Sequence, residues 1–194
     1  MDAVKRSADQ AQYLGFHVAG EEYAVGILRV REILEYDTIT RVPGTPASIR
    51  GVINLRGSVV PVVDLALKLG LPESPLTKRT CIVIVEVDLD GERTVMGVMA
   101  DSVTQVIDLS PEDIEPPPTF GTRVHVDYLL GMGKAGKKFI LLLDIDRVLS
   151  SSELQAAAAA SLAAASTEGL EAPEAETAAE PGAGAAVSAE SPVA

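Results

Sequence analysis

Short apolar runs separated by turn segments fill most of the chain between residues 12 and 150. The runs at residues 13–18 and 81–87 have the length of strands and are too short for typical helices. The second run consists mainly of Val and Ile, which favour strands. Turn segments follow both runs, at residues 19–22 and 88–92. The pattern predicts a mostly-β fold in which the helices are short.

A hairpin is predicted around residues 56–58, because this glycine-containing segment separates two apolar runs. Pro61 in the second run cannot donate a hydrogen bond to a neighbouring strand, which predicts an edge strand or a bulge. Asp64 comes near the end of this run and is predicted to cap a short helix that continues to about Leu69.

A glycine–aspartate spacing occurs twice in the chain. Gly51 precedes Asp64 by 13 positions, and Gly131 precedes Asp144 by the same 13 positions. A glycine-containing turn lies between the two residues in each case. A pattern that repeats in this way predicts two similar barrels, one in each half of the chain.

These patterns divide the chain into four parts. Residues 1–11 are predicted to form a flexible N-terminus. Barrel 1 is predicted over about residues 12–75 and barrel 2 over about residues 76–150, and the two barrels can exchange strands. Residues 151–194 are rich in Ala, Glu and Pro without periodicity, which predicts a disordered low-complexity tail.

Charge and composition exclude several classes of protein. The net charge is −12, of which the seven Glu of residues 151–194 contribute −7 and the rest of the chain −5. A mildly acidic body lacks the basic surface that nucleic acid or an anionic membrane requires. No stretch approaches the ~18 apolar residues of a membrane span. We therefore expect a cytoplasmic protein without direct membrane insertion.

The segment from Gly131 to Lys138 resembles a phosphate-binding loop, because it contains both G-x-G-x-x-G and G-x-x-x-x-G-K. Such loops open a helix whose N-terminal amides hold the anion. This segment instead precedes a buried-strand pattern, and Lys138 stands where the loop needs Ser or Thr. We predict a flexible hairpin tip, with a nucleotide-binding enzyme built on these residues as the alternative.

The remaining polar residues predict neither catalysis nor metal binding. His17 and His125 are far apart in sequence, and the lone Cys81 lies within an apolar run with no adjacent base. Most Asp and Glu residues fall in turns. We therefore predict no catalytic residue, no metal site and no cofactor, with Cys81 as a buried hydrophobic residue.

Two charged residues indicate a surface for protein partners. Arg56 lies at the predicted hairpin tip, where its planar guanidinium can reach a partner's carbonyls or carboxylates. Strand alternation places Glu32 on the same face as Val30 and Leu34, so a charge shares a face with two apolar residues. The competing interpretation is that Glu32 only protects an edge strand from aggregation.

Several short segments, in a fixed order, carry a resemblance to a known family. They are residues 30–33, 42–46, 51–57, 60–65 and 143–145, together with Gly131. In this order and spacing, from about Gln12 to Leu149, the chain resembles the CheW family of chemotaxis coupling proteins. The low-complexity tail departs from the compact pattern of that family.

The resemblance implies two SH3-like five-stranded barrels and an adaptor without enzymatic activity. Members of the family bind the cytoplasmic tip of methyl-accepting chemotaxis receptors, and separately the regulatory domain of the histidine kinase CheA, itself a CheW homologue. The chain would then be recruited to the inner face of the membrane through receptor arrays. The contact residues that the resemblance implies are Val30, Glu32, Gly51 and Arg56, with Val103 and Val106 as further candidates in barrel 2.

Other interpretations stay within the same group of coupling modules. The chain could serve a chemosensory pathway other than motility, or correspond to the coupling half of a CheV-like protein or to a barrel detached from a kinase. For the adaptor, we expect Arg56→Ala to weaken receptor coupling while the fold stays intact. We expect Gly51→Asp to impair binding more broadly, because it adds bulk and charge at a close backbone approach.

Overall fold

A computed structural model describes residues 11–89, 91–118, 121 and 123–150, and the predictions for residues 1–10 and 151–194 lie outside this part. Eleven strands and two short α-helices account for most of the described chain, which confirms the mostly-β prediction. The strands are β1 (Ala11–Val18), β2 (Glu21–Gly26), β3 (Val30–Glu35), β4 (Ile49–Leu55), β5 (Ser58–Asp64), β6 (Cys81–Leu89), β7 (Glu92–Ala100), β8 (Ser102–Leu109), β9 (Ile114–Glu115), β10 (Leu129–Ala135) and β11 (Lys138–Leu143), and the helices are α1 (Leu65–Lys68) and α2 (Ile145–Leu149).

The strands form two sheets, and each sheet takes strands from both halves of the chain. Sheet A has the order β8-β1-β2-β11-β10-β9, and sheet B has the order β3-β6-β7-β5-β4. The exchange is reciprocal, because β8 to β11 join β1 and β2 while β3 to β5 join β6 and β7. The predicted barrel boundary near residue 75 therefore does not coincide with the division between the sheets.

The sixth strand of sheet A lies in the proline-rich segment of residues 111–118. This strand, β9, is only two residues long and pairs with β10 through Met132 and Gly133. Sheet B has an isolated bridge between Thr40 and Val52 at the corresponding edge. Both sheets thus have five main strands and a short additional pairing at one edge.

The β4–β5 and β10–β11 hairpins have the same register, 80 positions apart. In β4, Arg50 is the extra residue of a bulge that precedes Gly51. In β10, Leu130 is the extra residue of a bulge that precedes Gly131. We call residues at this offset equivalent, and the repeat predicted from the glycine–aspartate spacing is present in the backbone pairing.

Both aspartates of the repeated glycine–aspartate spacing cap the helix that follows their hairpin, as was predicted for Asp64. The Asp64 carboxylate accepts a hydrogen bond from the Leu67 amide at 3.1 Å, at the start of α1. The equivalent Asp144 accepts from the Arg147 amide at 3.2 Å, at the start of α2. Each carboxylate thereby satisfies one of the amides that the first helical turn leaves without a partner.

Pro61 lies in an inner strand of sheet B, so the edge-strand alternative is wrong, and the bulge of this hairpin lies in the partner strand β4 rather than in β5. Its strand, β5, has β4 on one side and β7 on the other, but pairing with β7 begins only at Val62. Because hydrogen bonds alternate sides along an antiparallel pair, the Pro61 nitrogen faces the β7 side before that pairing starts. The strand tolerates proline here because no partner strand has yet joined it on that side.

Three apolar clusters hold the sheets together. The largest joins the two sheets and includes Phe16 and Tyr23 of sheet A with Val83 and Val85 of sheet B, all fully buried. The predicted buried Cys81 belongs to the same cluster, and burial raises the pKa of its thiol. Two smaller clusters lie within the individual sheets. Because the largest cluster needs both sheets, the described chain folds as one unit.

Candidate partner-binding surfaces

Two of the predicted contact residues, Glu32 and Arg56, form an ion pair. The Arg56 guanidinium donates a hydrogen bond to the Glu32 carboxylate at 3.0 Å. Glu32 lies on β3 at one edge of sheet B, and Arg56 follows β4 at the other edge. The contact therefore joins the two edges of the sheet and shows that the sheet rolls towards a barrel. The Arg56 side chain remains 80% exposed, so most of the guanidinium is available to another molecule.

The turn that carries Arg56 has an unfavourable residue at its first position. Arg56 has a φ of 52° and Gly57 a φ of 88°, which is the pattern of a two-residue hairpin turn with both central residues left-handed. Such turns favour Asn-Gly or Asp-Gly, because an arginine Cβ is strained at positive φ. The Asn54 side chain supports the turn by accepting from the Gly57 amide at 2.9 Å. The strained position favours a role for the guanidinium beyond the turn itself.

The faces of β3 agree with the predicted alternation. Val30, Glu32 and Leu34 are half-buried, whereas Arg31 and Ile33 are exposed. Val30 packs against the cluster between the sheets, and Leu34 packs against the cluster of sheet B. Glu32 is therefore the one charged residue of an otherwise apolar face of β3. Its carboxylate accepts a hydrogen bond from Arg56.

A second set of charges lies on the outer side of the same edge. Arg31 donates to the Glu86 carboxylate, and Arg93 donates to the same carboxylate at 3.2 Å. Hydrogen bonding from Arg31, together with the positive charge of both arginines, holds the pKa of Glu86 below its usual range. Edge β3 thus presents the exposed Arg31 side chain beside the apolar Ile33, which is 45% exposed, while Arg93 lies on the inner strand β7.

Gly51, another predicted contact residue, is buried and does not form part of the surface. A Cβ at this position would lie 2.1 Å from the Thr40 carbonyl oxygen, and the residue has a φ of +145°. The close approach that the sequence indicated is therefore internal, between β4 and the segment that carries Thr40. Substitution of Gly51 acts on the fold rather than on a direct contact with a partner.

Val103 and Val106 lie on β8, at the edge of sheet A. Val103 is half-buried against the cluster between the sheets, and Val106 is 48% exposed. Both β3 and β8 contain one extra residue relative to their partner strands, just after Val30 and Val103 respectively. Val103 is therefore equivalent to Val30, and Val106 to Ile33, at an offset of 73 positions. The contact residues expected in the two barrels lie at equivalent edges of different sheets.

An apolar groove in sheet A was missed by sequence reasoning. It encloses about 780 Å³ between the start of β1, the end of β2 and the first residues of α2. Leu28, in a 3-10 turn after β2, and Leu130, in β10, line the groove and are 96% and 52% exposed. An ion pair between Arg29 and Asp146 lies on its rim. The hydrophobic pattern could not reveal the groove, because an exposed leucine reads like a buried one in sequence.

The equivalent place in sheet B is occupied by a charged residue. Arg50, the equivalent of Leu130, forms an ion pair with the buried carboxylate of Asp64 at 2.8 Å and another with Glu73. In sheet A an aliphatic side chain stands there instead. This position is therefore apolar in sheet A and charged in sheet B.

A protein-family model described as CheW-like domain matches residues 12–153. The chain belongs to the CheW family. Among its curated relatives, the chemotaxis protein CheW of Klebsiella aerogenes is 38% identical over 143 residues, which covers 74% of this chain and 84% of that protein. Protein FrzA of Myxococcus xanthus is 32% identical over 151 residues, covering 76% of this chain and 91% of that protein.

A solved structure supports the CheW-type fold. The scaffolding protein TtCheW of Thermoanaerobacter tengcongensis has a TM-score of 0.66 and 31% identity to this chain, covering 74% of this chain and 90% of that one. The two sheets with their short helices therefore correspond to the CheW architecture that the sequence motifs indicated.

The glycine-rich segment of this CheW-family chain does not form a phosphate-binding loop. Residues 131–135 belong to β10, only Gly136 and Lys137 form the turn, and Lys138 begins β11. The segment opens no helix and forms a hairpin as predicted, with Gly131 to Ala135 in its first strand. Within the described residues, no group of three His, Cys, Asp or Glu side chains could hold a metal ion, and no helix could cross a membrane.

Proposed function

We propose that this CheW-family chain is a non-enzymatic adaptor that couples methyl-accepting chemoreceptors to the histidine kinase CheA. Its relatives include chemotaxis proteins and a scaffolding protein. The observation that carries the proposal is the presence of two separate exposed surfaces on one body with a shared core. One surface is the groove beside Leu28 and Leu130 in sheet A, and the other is the Glu32–Arg56 ion pair in sheet B.

The groove is proposed to bind the receptor tip. A helical hairpin presents a ridge of apolar side chains, and such a ridge binds a groove through a few buried anchors. Leu28 and Leu130 provide exposed apolar surface for such anchors, and the Arg29–Asp146 pair provides polar groups at the rim. Burying the two leucines would supply most of the binding energy.

The edge of sheet B is proposed to bind the regulatory domain of CheA. A CheW homologue presents sheet edges of the same kind, so the contact would be between barrels. Arg56 can form a second hydrogen bond with a partner carboxylate or carbonyl while one nitrogen stays bound to Glu32. Half-buried Val30 anchors this edge by packing against the cluster between the sheets. The equivalent edge of sheet A, with Val103 and the exposed Val106, would form a second contact with a barrel.

Coupling then follows from holding two partners on one rigid protein. Binding to both raises the concentration of the kinase near the receptor without a new contact between them. A receptor conformation that changes the groove contact can favour one kinase state only through a difference in contact energy between states. The adaptor itself changes no covalent bond, and it would reach the inner face of the membrane by binding the receptors there.

The test is a pull-down with a receptor signalling fragment and with CheA, using the chain with and without residues 151–194. Leu130→Arg places in the groove the residue that sheet B has there, and it should reduce receptor capture about tenfold while CheA capture is retained. Arg56→Ala should reduce CheA capture, and receptor control of the kinase with it. Leu76→Arg is the matched control, because Leu76 is exposed to the same degree, 53%, in a loop outside both surfaces.

Circular dichroism melting of each variant separates binding from folding. A folded Leu130→Arg variant that captures the receptor fragment normally would remove the groove from the proposal. A folded Arg56→Ala variant with normal capture of CheA and normal receptor control would remove the sheet-B edge. Wild-type protein that is folded but captures neither partner would end the adaptor proposal altogether.

A further inference from the structure

The tip of the β10–β11 hairpin carries three lysines that have no ion pair among the described residues. Lys134, Lys137 and Lys138 are all exposed and lie within five consecutive residues at the end of the hairpin. Most arginines of the described chain, in contrast, contact a carboxylate. We call these three lysines the lysine tip. It is a concentrated positive patch on a chain whose net charge is −12.

The lysine tip lacks the acidic residue that the other sheet has at the equivalent place. In sheet B, Arg56 at the hairpin tip is bound by Glu32 on the opposite edge strand. The equivalent of Glu32 in sheet A is Gln105 on β8, and the equivalent of Arg56 is Gly136. Neither residue carries a charge. The edge strands of sheet A do carry Asp108 on β8 and Glu115 on β9, but among the described residues neither forms an ion pair with the three lysines. The patch is left open for an anionic group from elsewhere.

The same chain supplies an anionic segment beyond the described residues. Residues 151–194 contain seven Glu and no Lys or Arg, and five of these Glu lie within residues 168–180. We propose that the glutamates of residues 168–180 bind the lysine tip of the same molecule. The proposal concerns a segment outside the CheW-like match at residues 12–153, so it is independent of the adaptor function.

The place where this segment leaves the fold makes the contact reachable. The described chain ends after α2, which directly follows β11, the strand that begins with Lys138. Along β11, the distance from Lys138 to Leu143 is roughly 17 Å at 3.3 Å per residue. The residues between Ser150 and Glu168 can extend to about 60 Å. The acidic residues can therefore reach the tip without any rearrangement of the sheets.

The chemistry of the tip also suits this segment. Phe139 lies opposite Lys134 across the hairpin and is 52% exposed, so apolar surface adjoins the positive charges. Residues 168–180 alternate glutamates with alanines and other uncharged residues. Because charges beyond about 8 Å are screened at physiological salt, the attraction needs direct contact, and several glutamates tethered nearby provide it.

The test couples lysines to carboxylates with a zero-length carbodiimide in the full-length chain, using a mixture of ¹⁴N- and ¹⁵N-labelled protein. The test variant replaces all three lysines of the tip with glutamine. The control variant makes the same charge change at three other exposed cations, Arg41→Gln, Lys78→Gln and Arg79→Gln. Wild type and control should give links between the lysine tip and residues 168–180 within single chains. The summed yield of cross-links that involve residues 168–180 should fall on the order of tenfold in the test variant. It should fall by a similar factor for wild type in about 1 M salt, where the Debye length is about 3 Å.

Three results would overturn the proposal. The yield of cross-links to residues 168–180 could stay the same in the test variant, or it could fall as much in the control variant as in the test variant. The cross-links could also form only between differently labelled chains. A second measurement leaves the described residues unchanged. Replacing the glutamates of residues 168–180 with glutamine should shift the amide NMR signals of residues 134–139 at low salt and not at high salt. Unshifted signals in that hairpin would also overturn the proposal.

Discussion

The β4–β5 and β10–β11 hairpins have the same register and different surface chemistry. Both contain a bulge before a glycine and end in a capping aspartate. Sheet B places Arg50 in the bulge and Arg56 at the tip, and both arginines pair with carboxylates of the same chain. Sheet A places Leu130 in the bulge and lysines near the tip, and these side chains remain exposed.

This comparison separates what the repeat conserves from what it varies. The register, the bulge and the cap determine where the chain goes, and they are shared by the two sheets. The side chains at the bulge and at the tip differ. In sheet B they form ion pairs within the chain, and in sheet A they stay exposed and can contact another molecule. In a two-sheet adaptor of this kind, equivalent positions are therefore the places to look for different partners.

The largest expected effect comes from the two equivalent glycines. Gly51→Ala should lower the free energy of unfolding by about 3–5 kcal/mol, because its Cβ would meet the Thr40 oxygen at 2.1 Å and its φ is +145°. Gly131→Ala meets the Glu115 oxygen at 2.5 Å without that strained φ, so about 1–3 kcal/mol is expected. Urea unfolding of both variants measures the difference. Equal losses would mean that the positive φ adds no cost.

The capping aspartates should differ by a smaller amount. Asp64→Ala removes a helix cap and leaves Arg50 without its buried partner, so a loss of about 2–4 kcal/mol is expected. Asp144 is more exposed and pairs only with Arg147 in the next turn, so Asp144→Ala should cost about 1 kcal/mol. Thermal unfolding at matched protein concentration gives both values. A larger loss for Asp144 would contradict the view that sheet B depends more on its internal ion pairs.

The smallest effect on stability is expected at the hairpin tips. Arg56→Asn removes an exposed ion pair but relieves an arginine at positive φ, so stability should change by less than about 1 kcal/mol. Capture of CheA should nevertheless fall, because the guanidinium is lost. Gly136→Asn in the equivalent turn, at a φ of 64°, is the matched control and should leave both quantities unchanged. Loss of CheA capture in the control would show that any change to either tip disturbs the fold.

Local patterns predicted the parts of the fold that local chemistry determines. The hairpin around residues 56–58, the caps at Asp64 and Asp144 and the repeated spacing all follow from turn and capping preferences. The sequence could not decide which strands share a sheet, because β3 could pair with β1 as readily as with β6 from its apolar pattern. It also could not decide whether the close approach at Gly51 is made within the chain or to a partner, because both require the same residue type.

The contact residues were predicted with similar limits. Glu32 and Arg56 were identified separately, from strand alternation and from a hairpin tip, and only the rolled sheet brings them within 3.0 Å. Leu28 and Leu130 carried no signal, because nothing in an apolar pattern tells an exposed position from a buried one. The resemblance to CheW indicated the family. That Leu130 in one bulge is equivalent to Arg50 in the other follows only from the strand register.

The reciprocal exchange of strands has a consequence for synthesis on the ribosome. β2 ends at Gly26, but its parallel partner β11 begins only at Lys138. At a synthesis rate of 5–20 residues per second, roughly 6–22 s pass between the completion of β2 and the start of β11. Nascent chains therefore expose an unpaired edge of β2 for most of their synthesis. A premature stop between Ala100 and Lys138 would release a chain in which sheet B has all five strands while sheet A is incomplete.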